Sequence, residues 1–402
     1  MVTGRFQACV CLFLFAAAAV ATPPDAAAPA AASTEARLLR AWELWQAGDL
    51  AQADNEFRAL LKQRPQYKLA WLLYGDLLNA RAGDRAHLPL PADDPRVQAL
   101  STEMERRLIR RDLSSDAVPA NLIYASGDAP RVIVVDLKEG RLFLMQRGDD
   151  GWHRLRDHYA GIGRLGFNKR GSGDLRTPVG VYHISGYIPG SALPDLYGVG
   201  ALTLDYPNDW DHADKRNGHG IWIHGVPHDT YVRAPQSSQG CVTLANEDLE
   251  ALHKEVGAGT PVILADGVQW LYAEEATAQE QEWMNRLDAW RLAWLSANAD
   301  RIQDFYSAPL KTRPVYHEFE VDRINLFNYP GEKDLVQARF HASRSTGGRS
   351  VEAPVEQFWR RDATGAWKIV LEKGVLEKAA DGASVSRKSR HAKNARSGKR
   401  KR

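Results

Sequence analysis

HGIWIHGVPHDTYVRAPQSSQGCVTL, residues 219–244, is the stretch that decides how this chain reads. Ile221 and Ile223 alternate with Trp222 and His224, the period-two signature of a strand with two unlike faces. Gly225 follows His224 and places its ring at a strand end beside a turn. Pro227, Asp229, Pro235 and Ser237 mark a loop, after which Ser238-Gln239-Gly240 lead into Cys241. Asn246 is the expected N-cap of a short helix over 247–256, with Glu247 and Asp248 in its first turn. The chain has three cysteines, and Cys9 and Cys11 fall in an expected leader, which leaves Cys241 alone. A lone thiol in an exported protein has no internal disulfide partner, so it is either an inert buried residue or kept for reactivity. The thiolate is the nucleophile, and a neighbouring imidazole can take the proton; each pKa unit is worth about 1.4 kcal/mol. Backbone N–H groups around Gly240 and Cys241 are expected to hold a developing oxyanion, at roughly 3 kcal/mol per donor.

Outward from this stretch, composition divides the chain. Residues 1–21 carry one cation, Arg5, an apolar run and the Ala19-Val20-Ala21 ending of a secretory signal peptide, which predicts a periplasmic protein. Residues 22–118 read as an Ala/Pro-rich linker followed by a helical region. Gly48, Leu50, Ala53, Phe57 and Pro65 have the spacing of a tetratricopeptide-type hairpin, and Trp71 with Gly75 begins a second. About three such repeats are needed to bury their own faces, so these helices should pack on the rest of the chain or form a homodimer. Short strands are expected at 132–137, 142–146, 159–163, 180–184, 202–204, 221–224 and 262–264, which by themselves support a β sandwich or barrel. From residue 268 to 376, Trp283, Leu287, Trp290 and Trp294 form an apolar helical stripe, and strand-like runs follow at 315–326, 335–342, 355–360 and 367–371. Residues 377–402 are a polar tail, with nine Lys/Arg and no acid over 387–402. Export argues against nucleic acid as its partner and for anionic wall polymers or membrane phosphates, beside the bland reading of a solvated end.

The ordered motifs resemble the YkuD-type L,D-transpeptidase family. His224-Gly225, a loop and Ser238-Gln239-Gly240-Cys241-Val242 are similar to its histidine and Ser/Thr-His-Gly-Cys signature. Thr177-Pro178-Val179-Gly180-Val181-Tyr182, Tyr206-Pro207-Asn208 and the run from Gly220 to Gly225 also fit the family's pattern. The resemblance implies a mostly β catalytic domain over 119–267, peptidoglycan stem peptides as substrate and no cofactor or metal. It implies Cys241 as nucleophile, His224 as base, and Ser238 and Gly240 shaping the oxyanion site. Gln239, Gly225, Thr243 and Arg233 become the expected substrate contacts. Gln239 stands where many members have histidine, and Thr243 where many have arginine. Arg164 and Arg176 join Arg233 as cationic candidates for stem carboxylates. Residues 268–376 bear a weaker resemblance to the nuclear-transport-factor-like cone. The expected fold is therefore multidomain α+β, and the three-part arrangement resembles the cell-shape L,D-carboxypeptidases of curved and helical bacteria.

That resemblance leaves several functions open. The family at large implies transpeptidation through a thioester, whereas the cell-shape enzymes imply trimming of tetrapeptide to tripeptide. An amidase that releases a wall-attached lipoprotein uses the same chemistry, and a wall-binding module that has lost it is a non-catalytic rival. A zinc site from His219, His224, His228 and Cys241 matches no compact ligand spacing.

Overall fold

A computed structural model of the 402-residue chain describes residues 33–83, 93–109, 114, 117–127, 130–310, 316–346 and 349–374. The expected leader, most of the spacer after it and the basic tail lie outside the described residues. Four helices come first: α1 (Thr34–Gln46), α2 (Leu50–Gln63), α3 (Lys68–Arg81) and α4 (Pro95–Leu108). Their starts are written locally. Ser33 accepts the Ala36 N–H at 3.1 Å, Asp49 that of Gln52 at 3.0 Å and Asp94 that of Arg96 at 2.8 Å. Each side-chain oxygen thus replaces a partner that the first helical turn lacks. Leu38, Ala53, Phe57, Leu60, Tyr67 and Leu77 pack into one core, which also takes in Tyr231 and Ala245 from the β region. Part of the helices' apolar surface is therefore covered by the rest of the same chain. Trp71, expected to open a second repeat, stands half exposed with its indole N–H on the Pro65 carbonyl.

Charge seals that junction. Glu35 of α1 meets Arg141 at 2.6 Å and Arg107 at 3.4 Å, while Arg141 also reaches Asp157 at 2.6 Å and Arg107 reaches Glu103 at 2.9 Å. Both arginines are buried, where a guanidinium is tolerable only with its carboxylates in place.

The β region begins with β1 (Val118–Pro119), β2 (Leu122–Ala125), β3 (Arg131–Asp136), β4 (Arg141–Gly148), β5 (Gly151–Tyr159), β6 (Ile162–Gly163), β7 (Gly180–Pro189) and β8 (Gly200–Leu204). After the short helix α5 (Asp209–Ala213) come β9 (Trp222–His224), β10 (Gln236–Ser238), β11 (Val242–Thr243), α6 (Asn246–His253), β12 (Pro261–Ala265) and β13 (Trp270–Leu271). Eight strands form one mixed sheet in the order β11-β9-β8-β7-β12-β3-β4-β5. The strand pairs β12–β3 and β11–β9 are parallel and the others antiparallel. The expected strands at 132–137, 142–146, 180–184, 202–204, 221–224 and 262–264 are all present; the one expected at 159–163 is divided between the end of β5 and β6, and the rest of β5 goes beyond the expectation, because its charged sequence GWHRLRDHY hides the alternation.

The chain closes with α7 (Ala273–Leu295), α8 (Ala299–Gln303), β14 (Glu318–Asn328), β15 (Leu335–Thr346), β16 (Arg349–Arg361) and β17 (Trp367–Lys373). Trp283, Leu287, Trp290 and Trp294 are buried against the antiparallel sheet, as their spacing predicts. That sheet runs β17-β16-β15-β14-β2, so Leu122–Ala125 belongs to the C-terminal domain and not to the domain expected to start at residue 119. A four-residue apolar strand carries no sign of its partner, and here the partner lies two hundred positions downstream. β1 likewise pairs with β13.

Strand β3 packs against both domains. Ile133 and Val135 enter a core shared with α6, whereas Val132 and Val134 enter another with Phe327, Tyr329, Leu335 and Phe358 of the C-terminal domain. A strand buried on both faces needs a layer on each side, and the C-terminal domain is one of those layers. Phe358→Ala should therefore lower stability by about 3–5 kcal/mol in a single denaturant transition. Two separate transitions, with one unmoved, would show that the domains unfold independently.

Candidate active site

The strand pair β9 and β11 brings His224 and Cys241 together. Ile223 and Val242 are fully buried in the sheet core, so their neighbours turn the other way. The parallel register places Thr243 opposite His224, and Cys241 lies two residues earlier on the same strand direction. Strand geometry then puts the Cα atoms of His224 and Cys241 ~8 Å apart, on the same face of the sheet.

His224 is held in one tautomer. Its Nδ1 lies 2.7 Å from the Gly225 carbonyl oxygen, which can only accept, so Nδ1 carries the proton and Nε2 presents a lone pair. Burial lowers its pKa from 6.5 to about 4; the Gly225 carbonyl opposes that fall and the Arg233 charge adds to it. The Tyr197 ring stands edge-on at 4.9 Å. The turn behind the ring is clamped by Asn246, whose Oδ1 accepts from Val226 at 3.0 Å and Val199 at 3.2 Å while Nδ2 donates to the Val226 carbonyl at 2.8 Å. Asn246 thus caps no helix: Ala245 holds the N-cap position of α6, and the expected start moves by one residue. A Cβ on Gly225 would come within 2.1 Å of Asn246 Oδ1, so this glycine is required by close approach.

Cys241 arrives by a tight turn. Ser238 Oγ donates to the Cys241 carbonyl at 2.6 Å and accepts the Gly240 N–H at 3.1 Å. Gly240 sits at φ +129°, and a Cβ there would meet the Arg176 carbonyl at 2.8 Å. The Gly240 N–H, expected to face an oxyanion, is therefore already spent on Ser238, which leaves the Cys241 N–H as the donor nearest the sulfur. The thiol is partly exposed and donates to the Gly220 carbonyl at 3.4 Å. Burial raises its pKa, against the Trp222 backbone N–H and the charges of Arg233 and Lys169. A raised thiol beside a lowered imidazole means that the resting pair is neutral.

The upstream motif is scaffolding for this turn. Thr177 Oγ1 accepts the Gly163 N–H at 2.9 Å, and β6, which contains Gly163, pairs with β10, which delivers Ser238. Asn208 reaches the other way, donating to the Val181 carbonyl and to Tyr329 of the C-terminal domain, both at 2.8 Å.

The expected substrate contacts divide. Gln239 is exposed beside Cys241. Gly225 and Thr243 are instead buried: Gly225 backs onto Asn246, and the backbone of Thr243 exchanges two 2.9 Å hydrogen bonds with Gly161. Of the three arginines, Arg233 acts on both Cys241 and His224, with its guanidinium near the Leu196 carbonyl at 3.3 Å. Arg164 and Arg176 are exposed, and Arg176 donates to the Phe167 carbonyl. His219 is exposed and His228 pairs with Asp195. Lys169 and Tyr197 escaped the sequence reading. Lys169 is buried with Asp174 at 2.7 Å, and its charge favours the thiolate; the pair lies in a polar loop with no local signature.

A thiol and a neutral imidazole on adjacent strands, at the edge of a mixed sheet, make this a candidate thiol–imidazole site in a mostly β domain. Residues 130–264 match the family model of YkuD, the L,D-transpeptidase catalytic domain, which is the family that the motifs resemble. The fold is similar to that of Bd1075 from Bdellovibrio bacteriovorus, at 22% identity and a TM-score of 0.56 over 65% of this chain and 98% of that one. It is also similar to the helical cell shape determining protein Pgp2 from Campylobacter jejuni, at 20% identity and a TM-score of 0.52 over 69% of this chain and 99% of that one. At these identities the likeness is one of fold. No curated protein matches the sequence.

The lowered imidazole has a measurable consequence. Between pH 6.5 and 4 the unfolded chain binds the His224 proton and the folded protein does not, so stability is lost as pH falls through that window, by about 3 kcal/mol at its end. His224→Gln should flatten this part of the stability profile, and the His224 ring resonances should titrate near 4 in NMR. A midpoint at the ordinary imidazole value would contradict the buried, carbonyl-bound ring.

Proposed function

We propose that the protein is a cysteine acyltransferase that acts on peptidoglycan tetrapeptide stems, with L,D-transpeptidation as its first activity. The observation that carries this reading is the parallel register that sets a partly exposed Cys241 beside the strand of His224, whose Nδ1 is bound to a carbonyl, inside a domain that matches the L,D-transpeptidase family. As the thiol attacks, its proton passes to Nε2. The sulfur adds to the carbonyl of the third-position diamino acid, and the oxyanion is received by the Cys241 N–H. The C–N bond to the terminal D-alanine then breaks, His224 returns its proton to the leaving amine, and a thioester remains. An amine from a second stem resolves the thioester to an L,D crosslink and regenerates the thiol. Because the resting pair is neutral, proton transfer accompanies attack and does not precede it. Arg233 and exposed Gln239 are the side chains that we assign to the stem carboxylates and the donor peptide. Export to the periplasm belongs to the same reading.

A second reading is trimming, in which water resolves the thioester and releases a tripeptide. It is favoured by the likeness to a helical cell shape determining protein over nearly the whole of that chain, including the regions on either side of the YkuD domain. Purified protein with tetrapeptide muropeptides separates the outcomes. Crosslinked dimers mark transfer, tripeptide marks trimming, and neither product from the wild type sinks both. Cys241→Ala should abolish turnover and mass adducts with carbapenems. His224→Gln should lower kcat by roughly 10²- to 10⁴-fold.

A further inference from the structure

Residues 225–240 leave the site at His224 and return to it at Cys241, and the way they are held is unusual for a surface loop. Tyr231, near the middle, is 7% exposed and belongs to the core of the N-terminal helices. Its ring lies 4.3 Å from that of Tyr67, and its hydroxyl donates to Glu247 at 3.0 Å. Glu247 is itself fixed from the helical side by Thr34 at 2.7 Å and by Arg64. Val232 packs on the same core. Tyr159 donates to the Arg233 carbonyl at 3.1 Å, and the Arg107 guanidinium of α4 covers both Tyr159, at 4.3 Å, and Tyr67, at 5.6 Å. Residues 231–233 are thus gripped, directly or through Glu247 and Tyr159, by groups from α1 and α4 and from the segment between α2 and α3, while the Arg233 side chain runs back to the site.

We propose that the N-terminal helices are a positioning element of the active site: they hold Tyr231, and through it they set where Arg233 stands beside Cys241 and His224. Attraction between opposite charges falls inversely with separation, so a loop released from its anchor weakens the hold of Arg233 on a thiolate even where the fold survives. The arrangement also accounts for the short repeat count, since the helical core is completed by the loop that it steadies. Tyr231 would then be a positioning residue that acts through Arg233. The other charged group that bears on the sulfur is Lys169, paired with Asp174; Arg233 also bears on His224, and Tyr197 faces Arg233.

The inference rests on the thiol–imidazole reading of the site but on no substrate, so its test needs none. The rate of Cys241 alkylation by iodoacetamide in the full-length protein, followed across pH by peptide mass spectrometry, reports how readily the thiolate forms. Arg233→Gln should move the profile to higher pH and slow alkylation about three- to tenfold at pH 7.5, the range of half to one pKa unit. Tyr231→Ala should move it in the same direction and add nothing in the Arg233→Gln background, and Tyr231→Phe should stay close to the wild type. Tyr67→Leu repeats the test from the helical side where Tyr231→Ala fails to fold. A wild-type profile in both loosened variants overturns the proposal, as does a Tyr231→Ala shift that persists undiminished without Arg233. A wild type inactive on tetrapeptides, with the coupling intact, would instead remove the proposed reaction and leave this inference standing.

Discussion

Two strands of two and three residues, lying parallel with residues 225–240 looped out between them, are the constraint on which this molecule depends. A parallel pair cannot close through a tight hairpin, so the excursion is obligatory, and a long loop is ordinarily mobile. The protein meets this demand by fastening the loop at several points. Asn246 clamps its start at Val226, Tyr231 is sunk into the helices, and Ser238 ties its end to the Cys241 carbonyl. One fastener is the loop's own serine, one comes from α6 and one from the N-terminal helices.

Burial then decides the chemistry that this geometry offers. Taking the imidazole out of water lowers its proton affinity, and taking the sulfur out raises that of the thiol. Both shifts oppose a preformed ion pair. Arg233 and Lys169 pull the other way at the sulfur, but Arg233 also disfavours a charged His224. The balance keeps the thiol and the imidazole neutral, with two cations bearing on the sulfur, which is the arrangement the proposed reaction calls for. Such preorganisation is worth more than a stable thiolate, because it acts where charge appears and not before.

How much of this was legible follows from the range of each interaction. His224, Cys241 and the turn between Ser238 and Gly240 are read locally, as are most strands and the tryptophan stripe of α7, because alternation and helical spacing are properties of neighbours. The partners of β2, Asn246 and Tyr231 are not local. LIYA looks like any buried strand, and its place in the C-terminal sheet is set by β14. Asn246 before two acids has the form of a helix cap, yet its amide is drawn to Val199 and Val226 by a turn far upstream. Gly225 and Thr243 have the positions of substrate contacts in the motif, but adjacency in sequence says nothing about which side of the sheet is wet.

The domain boundaries teach the same lesson on a larger scale. Composition divides the chain into helical, β and α+β parts, and each has its own core. What composition does not show is that the cores are shared at their edges: β2 crosses forward into the C-terminal sheet, Tyr231 and Ala245 cross back into the helices, and β3 gives one face to the C-terminal domain. A sheet that is apolar on both sides cannot stand in water alone, so the C-terminal layer is a condition of the fold that carries Cys241 before it is anything else. Any ligand that the flanking domains were to bind would therefore act on a body already mechanically continuous with Cys241, through packing that the fold requires in any case.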